Sequence, residues 1–242
     1  MLKLCLLTLS LGRDWPCKAM LHAEKQQYAQ KWGAELIVID HWGHEALSTC
    51  RGEGHLAKVA AVAFYAQMCH RLVLMDDTVR IKRTAPNLWD LPPGVWAAKD
   101  VPQLRREQHN NNVGHLLPRV CAQLNVTGPC KRPMFNSGLI VFPSGMKTST
   151  WPSCDQLSCK GMCDEPYFNI LLSKWHDLLH TTTVLQGSEL TPAAQAEFVH
   201  VTRGARSRKR WLCDPYGHHH HHQTDSAAMR GPGAKGAYGG HR

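Results

Sequence analysis

The sequence predicts an α/β domain with a mostly parallel central sheet flanked by helices. Two observations carry this. Short apolar runs at 2–10, 34–40 and 71–75 alternate with two longer helical patterns, and strand–helix–strand alternation implies parallel strands joined by crossover helices. The runs are also apolar nearly throughout, as strands covered on both faces are, rather than alternating with polar residues.

The first run, LKLCLLTLS (2–10), is bounded by Gly12 and Pro16. Its apolar part, Leu4 to Leu9, is too short for the core of a signal peptide and is followed by Arg13-Asp14, so it reads as a strand. CKAMLHAEKQQYAQKWG (17–33) reads as a helix closed by Gly33 in the left-handed conformation. AELIVID (34–40) is the second strand. EGHLAKVAAVAFYAQMC (53–69) is a helix with Leu56, Ala60, Ala63 and Phe64 on one face, and RLVLM (71–75) is the third strand. After the turn-rich PNLWDLPPG (86–94), VWAAKD (95–100) is a further strand ending in an acid. Residues 101–116 have little periodicity and read as an excursion or mobile loop. FNSGLIVFPSG (135–145) reads as a turn feeding a strand, DEPYFNILLSKW (164–175) as a helix with Pro166 in its first turn, and EFVHVTRG (197–204) as a last strand. The domain is expected to span 1–212. The His- and Gly-rich remainder, 213–242, has no periodic apolar face and is expected to be disordered.

A chain of 242 residues with 43% hydrophobic content sustains one sizeable core. No run reaches the roughly 18 apolar residues of a membrane span. The location stays open: the cytoplasm, or the Golgi lumen if a targeting segment is missing from this sequence. The net charge of +9 favours anionic partners, but five of the 28 basic side chains sit in RGARSRKR (203–210). Such a run is ordinarily a solvated face. No zinc-finger, helix-turn-helix or RNA-stacking motif accompanies it, so a nucleic-acid partner is not expected. The ten cysteines include a cluster at 130, 154, 159 and 163 that lacks the paired C-x-x-C of a structural zinc site. One or two disulfides, or free thiols, remain as readings. Asn125-Val126-Thr127 is a glycosylation sequon that matters only in a secreted chain.

The chemistry gathers around HRLVLMDDTVRI (70–81), where an apolar strand runs into Asp76 and Asp77. Ligands of open α/β sheets bind outside the carboxyl ends of strands, and Asp100 ends another strand. Two acids beside a phosphate repel it unless a divalent cation lies between, and manganese or magnesium suits carboxylate oxygens and phosphates together. In the plain structural reading, Asp76 caps the following turn and Asp77 is solvated.

The ordered series Lys58, LVLMDDTV, FNSGLIVF, CDEPYFN and FVHVTRG resembles nucleotide-sugar glycosyltransferases of the GT-A fold, nearest the glycogenin-like, galactosyltransferase-like group (glycosyltransferase family 8). The resemblance covers roughly residues 2 to 212. It implies that Asp76, Asp77 and His200 hold Mn²⁺ or Mg²⁺, and that Thr8, Lys58, Asn136, Ser137 and Gly138 join them around the donor. A UDP-sugar is the expected donor, and a glycan, protein or small-molecule hydroxyl the acceptor. Asp164 is the first candidate to orient the acceptor or steady an oxocarbenium-like centre, with Glu165 beside it and Asp100 second. The resemblance leans to retention of configuration. One departure stands out: the family's Asp-x-Asp is Asp76-Asp77-Thr78 here, which leaves open a nucleotide-sugar-binding protein with weak or no turnover.

Overall fold

The computed structural model describes residues 2–12, 17–50, 52, 54–99, 112–126, 135–157, 164–172, 179–182, 186–188 and 197–200. The elements run β1 (Leu4–Leu9), α1 (Lys18–Lys31), β2 (Glu35–Ile39), α2 (Gly54–Tyr65), β3 (Arg71–Met75), β4 (Val79–Ile81), β5 (Val95–Lys99), α3 (Asn112–Gln123), β6 (Phe135–Val141), α4 (Asp164–Leu171), β7 (Leu179–Thr182), β8 (Gln186–Ser188) and β9 (Phe198–His200). Asp100, residues 101–111, the basic run at 203–210 and the 213–242 segment lie outside the described residues.

The main sheet has the order β2-β1-β3-β6-β5-β7, and β4-β9-β8 form a smaller one. β1 pairs in parallel with β2 and β3, as strand–helix–strand alternation requires, and β5 with β7. β6 is antiparallel to both its neighbours, β3 and β5. The sheet is therefore mostly parallel with one reversed strand, and its inner strands β1 and β3 are apolar almost throughout because both faces are covered. On one face Cys5, Leu7, Leu72, Leu74 and Ile140 pack with Leu56, Val59 and Val62 of α2 and Tyr167 and Phe168 of α4. On the other, Leu6, Val73, Met75 and Val141 pack with Tyr28 and Ala29 of α1, Trp89 and Phe198.

Gly33 takes φ 67° after α1, and the Ala34 N–H donates to the Ala29 carbonyl at 2.9 Å, a six-to-one closure. Three expectations change. The stripe of α2 that is buried is Leu56, Val59, Val62 and Tyr65, while Ala60, Ala63 and Phe64 lie partly buried at its margin. The non-periodic segment resolves into α3 from Asn112 onward, which buries Leu117, Val120 and Cys121 despite Pro118. Asn136-Ser137-Gly138 is part of β6 rather than a turn. The register against β5 nevertheless jumps there, from Ala97 opposite Ile140 to Ala98 opposite Asn136, so the segment bulges out of the ladder.

Candidate functional site

The site is assembled by three close approaches at the carboxyl end of β3. The Asp76 N–H donates to the Gly138 carbonyl at 2.8 Å, tying the strand end to the β6 bulge. The chain then turns, with the Val79 N–H on the Asp76 carbonyl at 3.1 Å, and enters β4. β4 pairs with β9 so that Val79 stands opposite His200. Asp76 and His200 thus meet across more than 120 positions of sequence, with His200 Nε2 at 3.2 Å from Asp76 Oδ2. Gly138 lies under the imidazole: a Cβ there would stand 2.3 Å from His200 Nδ1. Only glycine leaves room for the ring.

Lys58 of α2 reaches into the same place and bridges two acids. Its Nζ lies 2.6 Å from Asp76 Oδ1 and 2.8 Å from Asp164 Oδ2. Asp164, at the start of α4, is buried. It accepts from the Ser137 hydroxyl at 2.6 Å through Oδ2 and faces His55 Nδ1 at 3.1 Å through Oδ1. His55 precedes Lys58 by one helical turn, and its side chain is 43% exposed, so it forms the open rim of the cluster.

The charges settle one another. Burial alone would raise the carboxyl pKa of Asp76, but Lys58 and the His200 hydrogen bond bring it down to about 2. Asp164 is likewise held well below the carboxylate range, chiefly by Lys58 and His55 working against burial. Burial would lower Lys58, yet Asp164 and Asp76 together hold it well above the usual lysine value. The cluster is therefore two carboxylates and one ammonium at neutral pH.

Asn136 fixes the orientation of His200. Its Oδ1 accepts from the Gly138 N–H at 2.8 Å and its Nδ2 donates to Glu165 Oε1 at 2.8 Å, so the amide has one sensible orientation. His200 Nδ1, 3.2 Å from that Oδ1, is then a donor. With Nδ1 a donor, Nε2 has two forms: carrying a proton it donates the hydrogen bond that helps hold the Asp76 carboxyl down, and without one it turns a lone pair toward the carboxylate. Two acceptors at 3.2 Å repel unless a proton or a metal ion lies between them. For an ion with ligands near 2.1 Å in octahedral geometry, adjacent ligands stand about 3.0 Å apart, close to the observed separation. Among the described residues no group of three His, Cys, Asp or Glu side chains converges on one point.

Asp77 lies apart from that pair. Burial and the neighbouring Asp76 push its carboxyl up, while Lys25 and Ser10 pull it down, which places it toward α1 and the end of β1. Thr8 is buried in β1, and its hydroxyl has no hydrogen-bond partner among the described residues. Of the candidates read from the sequence, Lys58, Asp76, Asn136, Ser137, Gly138, Asp164 and His200 come together. Thr8 and Asp77 lie on the other side of β3, and Asp100 lies outside the described residues.

Two residues went unread in the sequence. His55 had a signal, its one-turn spacing from Lys58. Lys25 had one too, its place in the stripe Leu21, Lys25, Tyr28, Ala29 of α1. Lys25 is fully buried, with Nζ donating to the carbonyls of Asp77 at 3.0 Å and Val79 at 2.9 Å. It pins the backbone that leaves the site.

No protein-family model matches the chain, and no curated protein matches it. Solved structures do. A glycosyltransferase involved in the glycosylation of the major capsid of PBCV-1 aligns with TM-score 0.52 at 12% identity, over 86% of this chain and 98% of that one. The bifunctional glycosyltransferase WbbM in its apo form aligns with TM-score 0.52 at 12% identity, over 84% of this chain and 46% of that one. At such identity the likeness is one of fold, and the chain has the α/β fold of GT-A glycosyltransferases.

Proposed function

We propose that the chain transfers a sugar from a nucleoside-diphosphate sugar to an acceptor hydroxyl, with Asp76 and His200 holding a manganese ion against the donor diphosphate. The observation that carries this is the 3.2 Å approach of His200 Nε2 to Asp76 Oδ2 with Nδ1 engaged by Asn136. A carboxylate suits either ion, but the imidazole nitrogen favours manganese, a transition metal, over magnesium, a hard ion that takes oxygen ligands. When bound, the ion would neutralise charge growing on the diphosphate.

In the reaction the bond between the anomeric carbon and the diphosphate oxygen breaks, and a bond from that carbon to the acceptor oxygen forms. The nucleoside diphosphate leaves with the electron pair, and its departing oxygen takes up the acceptor proton. Lys58 supplies a fixed positive charge beside the strand end, which stabilises the departing diphosphate without reorganisation. Asp164 is enclosed by Lys58, Ser137 and His55, and its depressed pKa makes it a poor base. It serves better to aim Lys58 and His55 and to offset positive charge at the sugar. His55, on the open rim, faces the space a sugar or acceptor would occupy.

A second reading has its own support. Thr78 replaces the second motif acid, and Lys58 already neutralises Asp76. The site would then bind nucleotide sugars through lysine alone, with little turnover. A thermal-shift panel of UDP-, GDP- and CMP-sugars with and without Mn²⁺ separates the two. The first reading expects stabilisation by one donor class that requires manganese; ligand at 100 times its dissociation constant adds about 2.7 kcal/mol. Equal stabilisation without metal favours the second reading, and no stabilisation by any donor ends both.

A further inference from the structure

We infer that Asn125 is an N-glycosylation site and that the chain matures in an oxidising, glycosylating compartment of the secretory pathway. Two independent observations meet here, and neither rests on the donor site.

The first is the cysteine chemistry. Cys5 of β1 bonds Cys69 beyond α2, and Cys50 bonds Cys154, closing separations of 64 and 104 residues. Their Cα atoms lie 5.9 and 4.9 Å apart, inside the range that a disulfide spans without backbone movement. Cys17 and Cys121 are also disulfide-bonded, so no described cysteine is free. Thiols in a reducing cytosol do not persist in that state.

The second is the geometry of the sequon. α3 ends with the Leu124 N–H on the Val120 carbonyl at 3.0 Å and the Val126 N–H on the Cys121 carbonyl at 2.9 Å. Asn125 takes φ 50° in this closing turn and is exposed. Val126 packs back against the core, and Thr127 follows in the sequence. Because Asn125 is exposed where the helix closes, a glycan there displaces no packed group among the described residues. In the transfer the Asn125 amide nitrogen bonds to the anomeric carbon of an oligosaccharide carried on a lipid diphosphate. The carbon–oxygen bond to the diphosphate breaks, the lipid diphosphate leaves, and one amide proton goes to the transferring enzyme's base.

Asparagine is also a common helix-terminating residue, and the experiment separates that role from modification. The full chain is directed into the secretory pathway of a eukaryotic host, and its intact mass is measured before and after peptide-N-glycosidase. The expected result is one glycan, its release leaving aspartate at 125. Thr127→Ala keeps the terminating asparagine and is expected to abolish the glycan. Asn125→Gly keeps the left-handed turn and is expected to do the same, and both variants should fold. Alkylation of the denatured, unreduced chain should leave Cys5, Cys50, Cys69 and Cys154 unlabelled. A secreted, folded chain with an unmodified Asn125, or with those four cysteines labelled, overturns the inference.

Discussion

Replacing Lys58 with methionine keeps the stem and removes the charge shared by Asp76 and Asp164. Asp164 is 3% exposed and Asp76 15% in their side chains, so the change strands two carboxylates where water reaches poorly. Removing one partner of a buried pair costs roughly 3–5 kcal/mol. Asp164 keeps Ser137 and His55, and Asp76 keeps His200, which argues for the lower end, about 3 kcal/mol. For a domain of this size that lowers Tm by roughly 6–12 °C. The sign with pH is fixed as well. The depressed Asp76 in the wild type stabilises the fold above its ordinary pKa of 3.8, and that gain is lost as pH falls toward about 2. In Lys58→Met both acids are pushed up instead, and protonation relieves the repulsion. The Tm gap between wild type and variant, followed by circular dichroism, is therefore expected to be largest at neutral pH and to shrink below about pH 4. A gap under about 2 °C at pH 7, or one unchanged down to pH 3, would refute the shared-charge account.

Burial lowers the pKa of Lys25 to about 8 from 10.5, so the unfolded chain binds more protons between those values. Stability is expected to rise by about 2 to 3 kcal/mol from pH 8 to 10. Urea denaturation at the two pH values checks this, and Lys25→Met should flatten the rise. The Cys5–Cys69 bridge closes a separation of 64 residues, worth about 4 kcal/mol in the chain-entropy view. Reduction, read by calorimetry against the Cys5→Ala/Cys69→Ala double variant, should lower Tm by roughly 8–16 °C. Asp164→Asn is expected to keep donor binding by calorimetry while transfer falls roughly 100-fold, because Lys58 and His55 lose their aim; equal loss of both would make Asp164 a binding residue.

The three parallel strands were legible because burial on both faces makes a strand read as a continuous apolar run. The convergence of Lys58, Asp76, Ser137, Asp164 and His200 rested on the order of weak motifs, each of which has an ordinary structural explanation alone. What escaped was short or ambiguous. β4 has three residues, and its pairing with β9 is a tertiary event without a local signal, yet it delivers His200 to Asp76. α3 was masked by Pro118 and by the polar residues before it. Asn136-Ser137-Gly138 read as a turn because its composition is that of a turn, and the bulge it makes in β6 answers to the same backbone preferences. The disulfide connectivity follows from tertiary packing, β1 beside the end of α2 for Cys5–Cys69 and the approach of two segments 104 residues apart for Cys50–Cys154, which cysteine spacing does not encode.

The central claim is that Asp76 and His200 form the metal-dependent donor site of a sugar transferase. Its most direct measurement is the release of UDP from a UDP-sugar with Mn²⁺, with EDTA, and in Asp76→Asn. The wild type is expected to release UDP with manganese, and release is expected to be lost almost completely in both other cases with the variant's fold intact. Release that persists in EDTA or in Asp76→Asn would contradict it.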